Sequence, residues 1–65
     1  MNTILIAFRV EEFTGVESTL GVFPDNADGM EKAIAAAQEV RGPDGGIVVR
    51  FPFGRESEGE GEKVW

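Results

Sequence analysis

Only one stretch of this chain repeats with the period of a helix, and the sequence on either side of it alternates in twos. Met30, Ala33, Ile34, Ala37 and Val40 fall at i, i+3, i+4, i+7 and i+10, which draws one apolar stripe along a helix. Asp28-Gly29-Met30-Glu31 has the form of a capping box, and Asp25 and Asn26 are other side chains able to cap the same start. Arg41 in the last turn, Gly42 at the left-handed position and Pro43 just beyond mark the end. The opposite side is lean: Asp28, Lys32, Ala35 and Glu39, with Asp28 and Lys32 spaced as a favourable i, i+4 pair.

The flanks read as strands. From Thr3 to Glu11, the apolar residues Ile4, Ile6, Phe8 and Val10 alternate with Thr3, Leu5, Ala7, Arg9 and Glu11. Glu12-Phe13-Thr14-Gly15 is turn chemistry. A second strand follows over Val16 to Phe23, with Val16, Leu20 and Val22 on one face, Gly21 as a weak point and Pro24 as its stop. After the helix, Pro43-Asp44-Gly45-Gly46 turns the chain into a third strand, Ile47 to Phe53. Ile47, Val49, Phe51 and Phe53 share one face, and Val48, Arg50 and Pro52 share the other. Pro52 cannot donate to a ladder, so this end of the strand should be an edge or should lose its pairing there. Lys63-Val64-Trp65 is long enough for a short fourth strand, closed by a connection over residues 54–62.

The order β-β-α-β-β predicts an α+β fold, a small antiparallel sheet of three to four strands with one helix packed on one face. The more apolar face, carrying Ile4, Ile6, Phe8, Leu20, Val22, Ile47, Val49, Phe51 and Phe53, is expected to meet the helix stripe. The other would then show Leu5, Ala7, Arg9, Phe23, Val48 and Arg50. That face is apolar enough to pack on a second copy, on a partner or under the chain's own C-terminal segment.

Sixty-five residues make one domain, and a chain of this size buries only about 60% of its unfolded surface. There is no cysteine to staple it and no histidine, which removes the thiolate metal site, the commonest general base and the commonest metal ligand. Twelve acids face six bases, for a net charge of −6. The excess is even along the chain: residues 1–24, 25–41 and 42–65 each carry −2. Such a chain repels nucleic acid and anionic membrane and attracts a basic surface. The apolar run Ile4 to Phe8 lacks a basic leader and is far short of the roughly 20 residues that span a bilayer, so a soluble cytoplasmic protein is expected.

Familiar site patterns fail on inspection. Aligning Gly29 with the invariant glycine of a calcium loop puts Pro24 and Ala35 where the two anchoring carboxylates belong. Gly42 to Gly46 follows a helix and precedes a strand, the reverse of a phosphate loop, and no lysine follows. Ser18 and Ser57 have no histidine to activate them. No catalytic residue, cofactor or metal is expected.

What stands out is the ending, RESEGEGEKVW, in which Glu56, Glu58, Glu60 and Glu62 occupy alternate positions. In an extended chain these point the same way about 6.6 Å apart, a row of negative charge comparable to a nucleic acid backbone. Asp25, Asp28, Glu31, Glu39 and Asp44 add carboxylates elsewhere. Gly54, Gly59 and Gly61 also make 54–62 readable as a mobile, solvated acidic loop, and such a loop can still settle onto a basic partner. Trp65 either packs on the sheet or serves an interface.

In size, charge and architecture the whole chain resembles the phage-encoded anti-CRISPR proteins, most nearly those acting on type I effector complexes, type I-C among them. The resemblance rests on no motif, so it carries no residue over. It implies a stoichiometric inhibitor that binds a DNA-binding subunit of the effector complex and, as in the acidic members, occupies the positive surface meant for target DNA. A monomer is expected, and the net charge argues against direct contact with nucleic acid or membrane. The carboxylates Asp25, Asp28, Glu31, Glu39, Asp44, Glu56, Glu58, Glu60 and Glu62 are the candidate contacts. The alternative is a self-associating structural or regulatory module that uses the face of Leu5, Ala7, Phe23 and Val48, with acidity serving solubility.

Overall fold

The computed structural model of the chain describes residues 3–40, 44–52 and 61–65. Strand β1 (Thr3–Val10) turns back into β2 (Glu17–Pro24), helix α1 (Ala27–Gln38) follows, and β3 (Gly45–Pro52) and β4 (Glu62–Lys63) complete the chain. The sheet order is β2-β1-β3-β4 with every pairing antiparallel, so the expected α+β architecture is the one observed. β1 and β3 pair along their whole length, from Thr3 opposite Pro52 to Val10 opposite Gly45. β4 pairs only at Val49–Lys63 and Arg50–Glu62, short of Pro52. The Val64 and Trp65 N–H groups both donate to the Val48 carbonyl, at 2.9 and 3.2 Å.

The helix starts at Asn26, whose side-chain oxygen accepts from the Gly29 N–H at 2.7 Å. The expected box at Asp28 is therefore not the cap; Asp28 sits in the first turn, where a carboxylate suits the positive end of the helix dipole. The helical segment ends at Gln38 with Glu39 as C-cap. The expected terminators Arg41, Gly42 and Pro43 lie outside the described residues, as do Phe53 and residues 54–60 of the expected mobile acidic loop.

The helix covers the opposite face of the sheet from the one expected. Leu5, Ala7 and Val48 lie buried beneath Ala33 and Ala37, with Phe23, Met30, Ile34, Ala36 and Val64 packed around them. Burial of side chains such as Leu5 and Val48 contributes about 1.5–3 kcal/mol each. Size, not hydrophobicity, selects this face. A Cβ at Gly29 would overlap the Pro24 carbonyl oxygen, and one at Gly46 would overlap the Ala37 carbonyl oxygen. Both ends of the helix thus rest on strand backbone, and only small residues on both surfaces permit that approach. Phe8, Ile47 and Phe51 would hold the same helix away from the sheet.

Arg9 and Arg50 share the covered face with Leu5, yet remain wet because each lies at one end of the helix layer and reaches outward to an aspartate. On the face away from the helix Ile6, Val49 and Phe51 are themselves buried and form a second cluster with Ile4, Phe8 and Ile47. Phe8 and Phe51 meet edge to face, with ring centroids 6.2 Å apart and planes at 74°. Gly61 lies against Val49 and Phe51.

The second strand also departs from simple alternation. Ala7 pairs with Gly21 but Phe8 pairs with Thr19, so Leu20 is an extra residue in a bulge. Leu20 consequently faces the helix side, beside Ala36 and Val40, while Val22 lies opposite Ile6 on the face away from the helix. Val16 precedes the strand. The three residues expected on one face are separated by that one insertion.

Candidate functional site

Each of the three aspartates is engaged in an internal ion pair. Asp25, just beyond β2, accepts from the Arg50 Nε at 2.7 Å and from the Thr3 hydroxyl. The Thr3 hydrogen bond, and then that of Arg50, hold the Asp25 carboxyl below the usual carboxylate range. Asp44, just before β3, accepts from the Arg9 guanidinium, with its Nε at 2.7 Å, and from the Glu12 N–H at 3.3 Å. Those donors, Arg9 first, lower its pKa in the same way. The side chains of Asp25 and Asp44 keep only 18% and 13% of their exposure. Asp28 meets Lys32 at 3.1 Å on the exposed side of the helix, the i, i+4 pair anticipated from the spacing.

The pairing consumes Arg9, Lys32 and Arg50, and the acidity that remains rests on glutamates. Among the described residues, Glu11, Glu12, Glu17, Glu31 and Glu39 have no cationic partner. Glu62 sits across the ladder from Arg50 and adds to the raised pKa of that guanidinium, after Asp25. Of the nine carboxylates anticipated as contacts, Asp25, Asp28 and Asp44 are therefore structural ion-pair partners. Glu31 and Glu39 are exposed on the helix and at its C-cap, and Glu62 is exposed on β4. Glu56, Glu58 and Glu60 lie outside the described residues.

Four of the carboxylates outside ion pairs lie toward one end of the molecule but on different faces, Glu17 in the far-face cleft it shares with Phe8, Ile47 and Lys63, and Glu39 on the helix side. Glu11 and Glu12 begin the β1–β2 connection, and Glu17 closes it opposite Val10. The helix delivers Glu39 to the same end, where it lines a shallow cleft of about 400 Å³ with Arg9, Leu20, Ala36 and Val40. Asp44 ties this end together, linking Arg9 of β1 to the Glu12 backbone. Glu11, Glu12 and Glu17 were not among the anticipated contacts, although the expected hairpin over residues 3–23 already implied that its turn would gather them.

The connection itself is built rather than loose. The Glu11 N–H donates to the Val16 carbonyl at 3.0 Å, and the Gly15 N–H donates to the Glu11 carbonyl at 2.8 Å. Gly15 takes φ 70°, a conformation that favours glycine. The Thr14 hydroxyl donates to the Glu11 carboxylate at 3.0 Å and accepts from the Val16 N–H at 3.2 Å.

Among the described residues no group of three or more acidic side chains is placed to hold a metal ion, and no buried side-chain polar atom lacks a partner. Among the described residues no helix is long and apolar enough to cross a membrane. What the arrangement offers chemically is an end rich in exposed carboxylates where, among the described residues, Arg9 is engaged by Asp44 and Lys63 shares a cleft with Glu17. No protein-family model, curated protein or solved structure matches the chain.

Proposed function

We propose that the protein is a non-enzymatic inhibitor that works in the cytoplasm of a bacterial host, in the manner of the phage-encoded anti-CRISPR proteins it resembles. It docks its acidic end on the basic, DNA-binding surface of a type I effector complex and blocks target DNA. The observation that supports this reading is that, among the described residues, Glu11, Glu12, Glu17 and Glu39 lie toward one end without an ion pair while the nearby Arg9 is engaged by Asp44. Unneutralised carboxylates held on a rigid scaffold steer fast association with a surface of opposite potential, and salt screens that steering. The aspartates serve the scaffold and the glutamates serve the partner.

The test is displacement. A labelled duplex bound to purified type I-C effector complex is titrated with the protein at several salt concentrations. Stoichiometric release of the duplex that weakens as salt rises supports the reading; retention of the duplex at every ratio rejects it.

A second reading comes from the sheet face away from the helix, where Val22 is 59% exposed at the edge of the buried Ile6, Val49 and Phe51 cluster. Self-association through that face replaces the alternative based on Leu5, Ala7, Phe23 and Val48, because Leu5, Ala7 and Val48 are buried under the helix. A salt-insensitive dimer in sedimentation equilibrium would favour it over docking by charge.

A further inference from the structure

Phe13 is the most exposed large apolar residue of the described chain, at 88%, and it stands at the tip of the β1–β2 connection with half-exposed Val16 beside it. A turn position places no demand for an aromatic ring; polar and small residues satisfy turns better. Nor does the ring serve this chain's own core, since neither apolar cluster includes it. The backbone beneath it is held on both sides. Gly15 and Val16 bond back to Glu11, Thr14 bridges the Glu11 carboxylate to the Val16 N–H, and Asp44 anchors the Glu12 N–H to the start of β3. A ring presented on a fixed turn costs little ordering entropy when it is buried by a partner. Around it stand Glu11, Glu12 and Glu17 of the same hairpin, with Glu39 at the same end of the molecule.

We infer that Phe13 is the anchor of a protein-binding tip, inserted into an apolar pocket whose rim carries arginine or lysine side chains. Charge complementarity fixes the partner's chemistry. Carboxylates flanking the ring reject an acidic or lipid-phosphate surface, while a guanidinium can stack on the face of Phe13 and pair with a neighbouring glutamate at once. Buried aromatic anchors surrounded by near-neutral or polar contacts are where interface energy concentrates. The inference rests on the basic partner surface proposed above and names the part of this chain that enters it.

The experiment is a selection followed by binding measurements, so that it does not depend on knowing the natural partner. A random peptide library is selected against the immobilised intact protein, and enriched peptides are measured against wild type, Phe13→Ala, Phe13→Leu and the quadruple Glu11→Gln, Glu12→Gln, Glu17→Gln, Glu39→Gln variant. Enriched peptides are expected to combine Arg or Lys with an aliphatic or aromatic residue. They should lose about tenfold or more in affinity for Phe13→Ala, retain most of it for Phe13→Leu, and shift the backbone amide resonances of Glu11 to Glu17 on binding. Amide shifts in wild type give a readout that does not depend on how the variants fold. Peptides that bind Phe13→Ala as they bind wild type, peptides without a cationic residue, shifts confined to other regions, or a failed enrichment would each overturn the inference. The same variants on the type I-C effector complex separate the two proposals. Wild-type binding that is indifferent to Phe13→Ala removes the tip and leaves charge docking. Peptide capture through Phe13 with no affinity for the effector complex removes the inhibitor reading and leaves the tip.

Discussion

An Arg–Asp pair closes the helix layer at each end of the sheet, and the two ends are left in different electrostatic states. At the Thr3 end, Asp25 satisfies Arg50 and Thr3, and Lys32 sits with Asp28. Glu31 in the first half of the helix and Glu62 across the ladder from Arg50 add two further carboxylates there. At the Val10 end, Asp44 engages Arg9, and Glu11, Glu12, Glu17 and Glu39 remain without a cation among the described residues. Similar pairs thus serve two ends that differ in degree, with two carboxylates outside ion pairs toward one and four toward the other among the described residues. Among the described residues, an acidity that is even along the sequence thus leaves more unpaired glutamates toward the Val10 end than toward the Thr3 end.

The largest expected effects come from packing, and they should strike both ends alike. Gly29→Ala at the Thr3 end and Gly46→Ala at the acidic end each force a methyl onto a carbonyl oxygen. Each should destabilise by about 1–3 kcal/mol in chemical denaturation, at Gly29 despite the better helix propensity of Ala. A Gly29→Ala protein as stable as wild type would mean the helix does not rest on Pro24. Leu5→Ala on the covered face should cost about 2–5 kcal/mol, whereas Val22→Ala on the face away from the helix should stay within about 0.5 kcal/mol. Equal losses at the two positions would contradict the observed placement of the helix.

Charge substitutions should separate the ends. The quadruple glutamine variant of the acidic end should slow association with a basic partner about tenfold or more at low salt, and Glu31→Gln should change it little. Acid titration addresses the pairs themselves. Because Asp25 and Asp44 both have lowered pKa values, their contribution is fully present above the ordinary carboxylate range near pH 4 and is lost as pH falls through their folded values. The melting temperature should therefore drop on acidification. Asp25→Asn and Asp44→Asn should each start lower and show a shallower drop, and an unchanged acid limb in either would mean that pair contributes nothing. The smallest effect belongs to Lys32→Met, which breaks only the exposed pair with Asp28 and should cost about 0.3–0.5 kcal/mol or less.

Much of this fold was legible in the sequence. The order of elements, the hairpin, the helix stripe through Met30, Ala33, Ile34 and Ala37, and the Asp28–Lys32 pair all follow from periodicity and spacing. Which face of the sheet the helix covers does not. Both faces are apolar, and Arg9 and Arg50 marked the covered face as a solvent face because period-two patterns register polarity but not position along a strand. Small volume at Ala7, Gly29, Ala33, Ala37 and Gly46 decided the matter, a property of fit between distant surfaces. The bulge at Leu20 was hidden for a related reason, since one inserted residue leaves a composition that still reads as a strand. For the candidate site, the sequence drew attention to the alternating C-terminal glutamates. It did not distinguish aspartates held by arginines from glutamates left without partners, because that depends on long-range pairs between residues 9 and 44 and between 25 and 50.

The measurement that bears most directly on the central claim compares the two ends in one assay. Displacement of duplex from type I-C effector complex is followed for wild type, for the variant neutralised at Glu11, Glu12, Glu17 and Glu39, and for a variant neutralised at Glu31 and Glu62, across a salt gradient. The account predicts salt-sensitive displacement by wild type and by the Glu31 and Glu62 variant, and its loss in the variant neutralised at the acidic end. Equal displacement by all three, or none by any, would contradict it.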